Sequence, residues 1–166
     1  MKRIILAGGS GFIGQALARR LVDAGHDVVV LTRSPRGSSE KVREVAWDGK
    51  TVGAWKSELE GATAIINLSG RSVNCRYTPE NRRAIMESRV FSTKVIGEAI
   101  AQTKTPPQVW MNASTATIYK HAIDVARDET GEIGATSEAN DGFSVEVAHA
   151  WEAAFNEARA PHTRKI

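Results

Sequence analysis

The residues best suited to chemistry stand near the N-terminus, in the run Ala7-Gly8-Gly9-Ser10-Gly11-Phe12-Ile13-Gly14. Glycines at this spacing let the backbone do what side chains would obstruct. Gly8 permits a tight turn, Gly11 lets the main chain approach a diphosphate, and Gly14 lets a helix pack closely on a strand. Gly9, Ser10, Phe12 and Ile13 complete the expected phosphate loop. A short apolar run precedes it and a helical pattern follows, so free N–H groups and the positive end of a helix dipole would face the ligand. At the end of the next strand, about 20 residues beyond the glycines, an acid usually holds a ribose diol. Here the chain reads Leu31-Thr32-Arg33-Ser34-Pro35-Arg36, and no acid lies between Val28 and Ser39. Arg33 and Arg36 offer planar guanidinium donors suited to a 2′-phosphate. The expected dinucleotide is therefore NADP, with NAD the poorer fit.

Other reactive side chains form weaker groupings. His26, His121, His149 and His162 show no metal-ligand spacing with cysteine or acids, so no metal site is expected. Glu146 and His149, three residues apart, read as a solvated pair on one helix face rather than an acid–base couple. Cys75 beside Arg76 reads as a quiet loop thiol. Trp47, Trp55 and Trp110 are too far apart to define a stacking platform and are assigned to the core.

These groups need strands and helices to hold them. Arg3–Ala7 is a brief apolar run of the kind buried on both faces of a parallel sheet. Further strands are expected at 27–33, 42–47, 63–68 and 108–112. Helical spacing runs over 12–24, with Ile13, Leu17 and Leu21 on one stripe and Gly25 in the stop position. A long helix is expected at 79–102, opened by Pro79, and another at 142–158, where Val147, Trp151 and Phe155 align. Residues 119–140 read as an acidic loop. The alternation predicts an α/β fold, a doubly wound parallel sheet of about five strands.

The 166 residues amount to one domain, and 42% apolar with 25% charged residues describes an ordinary globular chain. The single cysteine excludes an internal disulfide and fits a reducing compartment. A net charge of +3 without a dense basic run argues against a nucleic-acid partner. The charge is uneven: residues 121–160 hold nine acids and two bases, whereas residues 71–104 hold seven bases and three acids. Gly8, Gly9, Ser10 and Gly11 interrupt what would be the greasy centre of a signal peptide, and no apolar run is long enough to span a membrane. A cytoplasmic protein is expected.

With these residues in place, the chain resembles the short-chain dehydrogenase/reductase superfamily, in its extended, sugar-nucleotide-epimerase-like branch. More narrowly, it resembles an atypical epimerase-like family often labelled cell-division inhibitors. The likeness covers essentially the whole chain. The glycine loop matches the branch closely, and Asn67-Leu68-Ser69-Gly70 matches its Asn-Leu-Ala-Gly turn beside the cofactor. Arg76-Tyr77-Thr78, Ser88-Arg89 and Trp151-Glu152-Ala153-Ala154 resemble elements of the narrower family. Ser114-Thr115-Ala116-Thr117-Ile118-Tyr119 stands in the place of the branch's Ser-Ser-Ala-x-x-Tyr stretch. The resemblance puts Thr115 where a catalytic hydroxyl hydrogen-bonds a substrate oxygen; the alternative is a hydroxyl that satisfies nearby backbone.

The chain departs from these relatives in two ways. The usual Tyr-x-x-x-Lys pair is missing: Tyr77 is followed four places on by Asn81 and Tyr119 by Ile123. Counting back from Glu152, its positions are held by Ser144 and Ala148. The chain also stops at His162-Thr163-Arg164-Lys165-Ile166, on the approach to a sixth strand. The expectation is thus an NAD(P)-binding Rossmann domain over 1–166, truncated before the sixth strand, with the relatives' C-terminal substrate-binding domain absent. In a complete relative the reaction would be hydride exchange at a carbinol or carbonyl carbon of an unidentified small molecule. Thr115 would orient the oxygen, and Tyr119 or a water would move the proton. This chain alone is expected to be inactive. The alternatives are a non-catalytic module that senses NADP(H), and a fragment whose open sheet edge pairs two copies into a homodimer.

Overall fold

A computed structural model describes residues 1–37 and 42–166; Ser38 and Ser39, at the end of the acid-free stretch, lie outside the described residues. Six parallel strands run β1 Arg3–Ala7, β2 Asp27–Thr32, β3 Val42–Ala46, β4 Ala64–Asn67, β5 Val109–Asn112 and β6 Arg164–Lys165. Their spatial order is β3-β2-β1-β4-β5-β6. Helices α1 Phe12–Asp23, α2 Pro79–Ala101 and α3 Gly142–Glu157 cross between them. This is the doubly wound Rossmann order, and it reverses direction between β1 and β4, where such folds open a crevice beyond the carboxyl ends of the strands.

Alternation along the strands separates two apolar layers. Ile4 and Leu6 of β1 join Val28 and Val30 of β2 against Ala18 of α1, with Leu17 and Leu21 half-buried around them. Ile5, Val29, Ile65 and Trp110 point the other way, beneath Val95, Ile96 and Ile100 of α2. Trp47 and Trp55 pack edge to face at 5.6 Å, and Trp110 meets Phe155 at 4.7 Å, so these tryptophans do belong to the core. Burial on both faces explains why β1 and β2 are continuous apolar runs.

Local signals set the helix ends. Gly25, with φ +80°, follows α1 and takes the left-handed conformation that ends it. Thr78 caps α2 by accepting from the Asn81 N–H at 3.3 Å, ahead of Pro79. Most observed elements end within a residue or two of the expected bounds. The clearest difference is at the sheet edge, where about five strands were expected and a short sixth is present. The Arg164 N–H donates to Gln108 O and the Ile166 N–H to Trp110 O, both at 2.9 Å. Lys165 Nζ then donates to the carbonyls of Phe155, Asn156 and Ala158 at 3.0, 2.9 and 3.2 Å. Unpaired groups on β5 and orphan carbonyls at the end of α3 are satisfied together, so even two residues hold as a strand. Short 3-10 helices at Ala54–Leu59 and Ala116–Ile118 were not among the expected elements. Among the described residues, no helix is long and apolar enough to cross a membrane.

Candidate functional site

The carboxyl ends of β1, β2 and β4 open onto a cleft of about 830 Å³. Gly8, Gly9, Ser10 and Gly11 line one wall. Gly8 has φ +73°, and its N–H donates to Leu31 O at 2.9 Å, tying the turn to β2. A Cβ at Gly14 would lie 2.4 Å from Gly9 O, so this glycine lets α1 press against the loop. Gly9 is equally constrained, since its Cβ would meet Leu6 Cβ at 2.7 Å; the sequence had shown no packing reason for it. Gly11 differs from all of these. Its Cβ would find only Gly8 O, at 3.7 Å, so the protein does not need this residue bare.

No side chain caps the start of α1, and no acid occupies its first turn. The orphan N–H groups of that turn are therefore left without a competing carboxylate. Ser10 is held by Gln15 Nε2, which donates to its carbonyl at 2.7 Å, and by Thr32 Oγ1, which donates to its hydroxyl at 3.2 Å. This bare, positively polarised cradle fits a diphosphate.

Arg33 and Arg36 line the same cleft, are exposed, and form no ion pair among the described residues. The Arg36 N–H donates to Glu44 of β3 at 2.6 Å, which fixes the loop between β2 and β3. Glu44 itself lines the cleft, an acid that the count along β2 had not placed there. Asp48 lines it as well, and N–H donation from Lys50 and then Thr51 holds its carboxyl below the ordinary aspartate value.

Leu68, Ser69 and Gly70 form the opposite wall. Behind them Asn67 is fully buried, accepting from the Ser69 N–H at 3.1 Å and donating to Asn112 Oδ1 at 2.8 Å. Thr93 of α2 completes the junction, accepting from Asn67 Nδ2 at 3.2 Å and from the Trp151 indole N–H at 3.0 Å. These bonds fix the ends of β4 and β5 against α2 and α3. The Ser69 hydroxyl is buried without a partner, and a Cβ at Gly8 would lie 2.9 Å from it.

The remaining expected residues stand off the cleft wall. Phe12 and Ile13 begin α1 with exposed side chains. Thr115 caps the short helix at Ala116–Ile118, where its hydroxyl accepts from the Thr117 N–H at 3.3 Å and pairs with the Thr117 hydroxyl at 2.9 Å. Tyr119 follows directly, half-buried and bridged to Ile133. Ser114 Oγ donates to Glu152 at 2.5 Å. On α3, Ala148, at a position where the resemblance implies a lysine, is fully buried. Glu146 and His149 are both exposed, as a solvated pair should be. Among the described residues, no His, Cys, Asp and Glu cluster could hold a metal ion.

Residues 4–159 match the model of the NAD dependent epimerase/dehydratase family. An epimerase family protein of Staphylococcus haemolyticus is 32% identical over 124 residues, covering 74% of this chain and 40% of that protein. The epimerase family protein YfhF of Bacillus subtilis is 32% identical over 150 residues, 90% of this chain and 48% of its own. A human epimerase family protein, solved with NADPH, superposes with a TM-score of 0.78 at 25% identity, covering 98% of this chain and 51% of that one. The chain thus spans about half the length, or less, of these relatives.

Proposed function

Since this chain belongs to the NAD dependent epimerase/dehydratase family, we propose that its cleft binds NADP(H) and serves hydride-transfer chemistry on a small-molecule substrate. The observation that carries this reading is the meeting, in one cleft, of an acid-free glycine loop and two arginines that form no ion pair among the described residues. Gly8, Gly9, Ser10 and Gly11 would hold the diphosphate through backbone N–H groups. Arg33 and Arg36 would hold the 2′-phosphate, and Leu68, Ser69 and Gly70 would wall the nicotinamide side. When bound, the nicotinamide supplies hydride exchange at a carbinol or carbonyl carbon. Thr115 would turn its hydroxyl from Thr117 towards the substrate oxygen, with Tyr119 or a water moving the proton. The human relative solved with NADPH supports this choice of cofactor. The same reading places the protein in the cytoplasm, with Cys75 reduced.

Calorimetric titration with NADPH and with NADH tests the proposal. Tighter binding of NADPH is expected, and failure to bind either dinucleotide would overturn it. A second reading, an NADP(H) sensor without chemistry, draws on the buried Ala148 and on the Thr115 hydroxyl already engaged with Thr117. An assay of NADPH oxidation with aldehydes, ketones and nucleotide sugars separates the two. Absence of turnover would favour the sensor; robust turnover abolished by Thr115→Val would discard it.

A further inference from the structure

Within the basic stretch 71–104, Arg71 lines the cleft, and five arginines pair with no acid among the described residues. Arg71, Arg76, Arg82, Arg83 and Arg89 form no ion pair among the described residues. Arg82 lies over the Phe143 and Tyr77 rings at 4.7 and 5.7 Å. Arg71 and Arg89 are placed differently.

Arg71 lines the cleft and is held at three points by α2. Its N–H donates to Ser88 Oγ at 2.9 Å, its carbonyl accepts from Arg89 Nη1 at 3.2 Å, and its guanidinium donates to Asn81 Oδ1 at 2.8 Å. Asn81 is neutral, so the guanidinium is positioned without an ion pair among the described residues. Glu87 also lines the cleft, but it pairs with neither arginine.

Arg89 is half-buried, with its guanidinium 5.3 Å over the Trp151 ring and a second bond to Ile85 O at 3.1 Å. It packs against Gly70 of the cleft wall, where a Cβ would lie 3.1 Å from Arg89 Cζ. Burial lowers its pKa, and among the described residues no carboxylate pairs with it to offset the lost hydration. Two guanidinium groups, one of them desolvated and bonded to the other residue's main chain, therefore stand beside the cleft with no ion pair among the described residues.

We propose that Arg71 and Arg89 form an oxyanion subsite, and that the substrate taken at this cleft carries a carboxylate or phosphate that docks on the loop between β4 and α2. This subsite is distinct from the cradle at the start of α1. The inference rests on the reading of that cradle as the cofactor's phosphate site. Planar guanidinium groups suit either oxyanion, because both accept paired N–H donors.

The test follows the Nε–Hε signals of Arg71 and Arg89 by NMR in the 15N-labelled full chain, saturated with NADPH. Millimolar inorganic phosphate or acetate should shift both signals, and sodium chloride at matched ionic strength should not. The more effective probe identifies the oxyanion. Arg71→Gln should raise the half-saturating concentration about tenfold or more, the loss expected for a charge-assisted hydrogen bond. Unmoved signals with both probes would overturn the proposal. So would shifts that occur only without NADPH, because the arginines would then be holding the cofactor's own phosphates. Should calorimetry detect no NADPH binding, the cofactor reading fails, while anion-induced shifts at both arginines still support the oxyanion subsite.

Discussion

Because Arg33 sits in the cleft just past β2, exposed and with no acidic partner among the described residues, its removal should act on one dinucleotide far more than the other. A charge-assisted hydrogen bond contributes about 1.5–3 kcal/mol, equivalent to roughly 10–150-fold in affinity. Arg33→Ala should weaken NADPH binding by about that factor and leave NADH binding nearly unchanged; equal losses in calorimetry would count against a 2′-phosphate site. The glycines divide just as sharply. A Cβ at Gly11 would make only an ordinary contact with Gly8 O, at 3.7 Å, so Gly11→Val should fold normally yet lose NADPH binding by blocking backbone approach. Gly14 has no such room, and Gly14→Ala should cost about 1–3 kcal/mol of stability through overpacking against Gly9, measured by urea unfolding. A Gly11→Val protein that binds NADPH normally would move the phosphate site elsewhere.

Between elements, the junction of β4, β5, α2 and α3 depends on one hydroxyl. Thr93→Val would leave the Trp151 indole N–H without a partner and take an acceptor from Asn67. A buried unsatisfied polar group costs about 1–3 kcal/mol, so the loss on urea unfolding should reach at least that range. The turn after β3 adds a dependence on pH. Asp48 has its folded pKa below the ordinary 3.8, because N–H groups of Lys50 and Thr51 bond the ionised form. Its stabilising contribution is present above about 3.8 and is lost as pH falls through the lowered value. Asp48→Ala should therefore make the decline of stability with acid shallower. Periodicity showed the strands and helices because it is local: Ile13, Leu17 and Leu21 reveal α1 without help from distant residues. The junction could not be read that way, since Thr93 lies 26 residues from Asn67 and 58 from Trp151. The short helix under Thr115 was hidden for another reason, as three residues complete too little of a turn to show a stripe. The glycine loop was legible because its backbone requirements leave a mark on residue type. The cleft position of Glu44 was not, because it follows from the pairing of β3 with β2.

At the scale of the whole molecule, a dinucleotide held between the loops of β1, β2 and β4 should stabilise the sheet by mass action. At a free concentration 100 times the dissociation constant, the gain is about 2.7 kcal/mol. For a chain of this size that raises Tm by roughly 5–11 °C. Differential scanning calorimetry should show such a shift with NADPH and none with Gly11→Val; an unchanged Tm for the parent chain would show that the ligand misses the folded cleft. Of the protein's four tryptophans, Trp47 alone lines the cleft, while its ring also packs against Trp55 in the core. Light absorbed by that indole can pass to a reduced nicotinamide bound in the cleft, quenching the protein's own emission. The oxidised cofactor lacks the absorption band that would accept this energy. The wall of the cleft thus carries a native fluorophore whose quenching would report, without any added label, the arrival of the reduced cofactor.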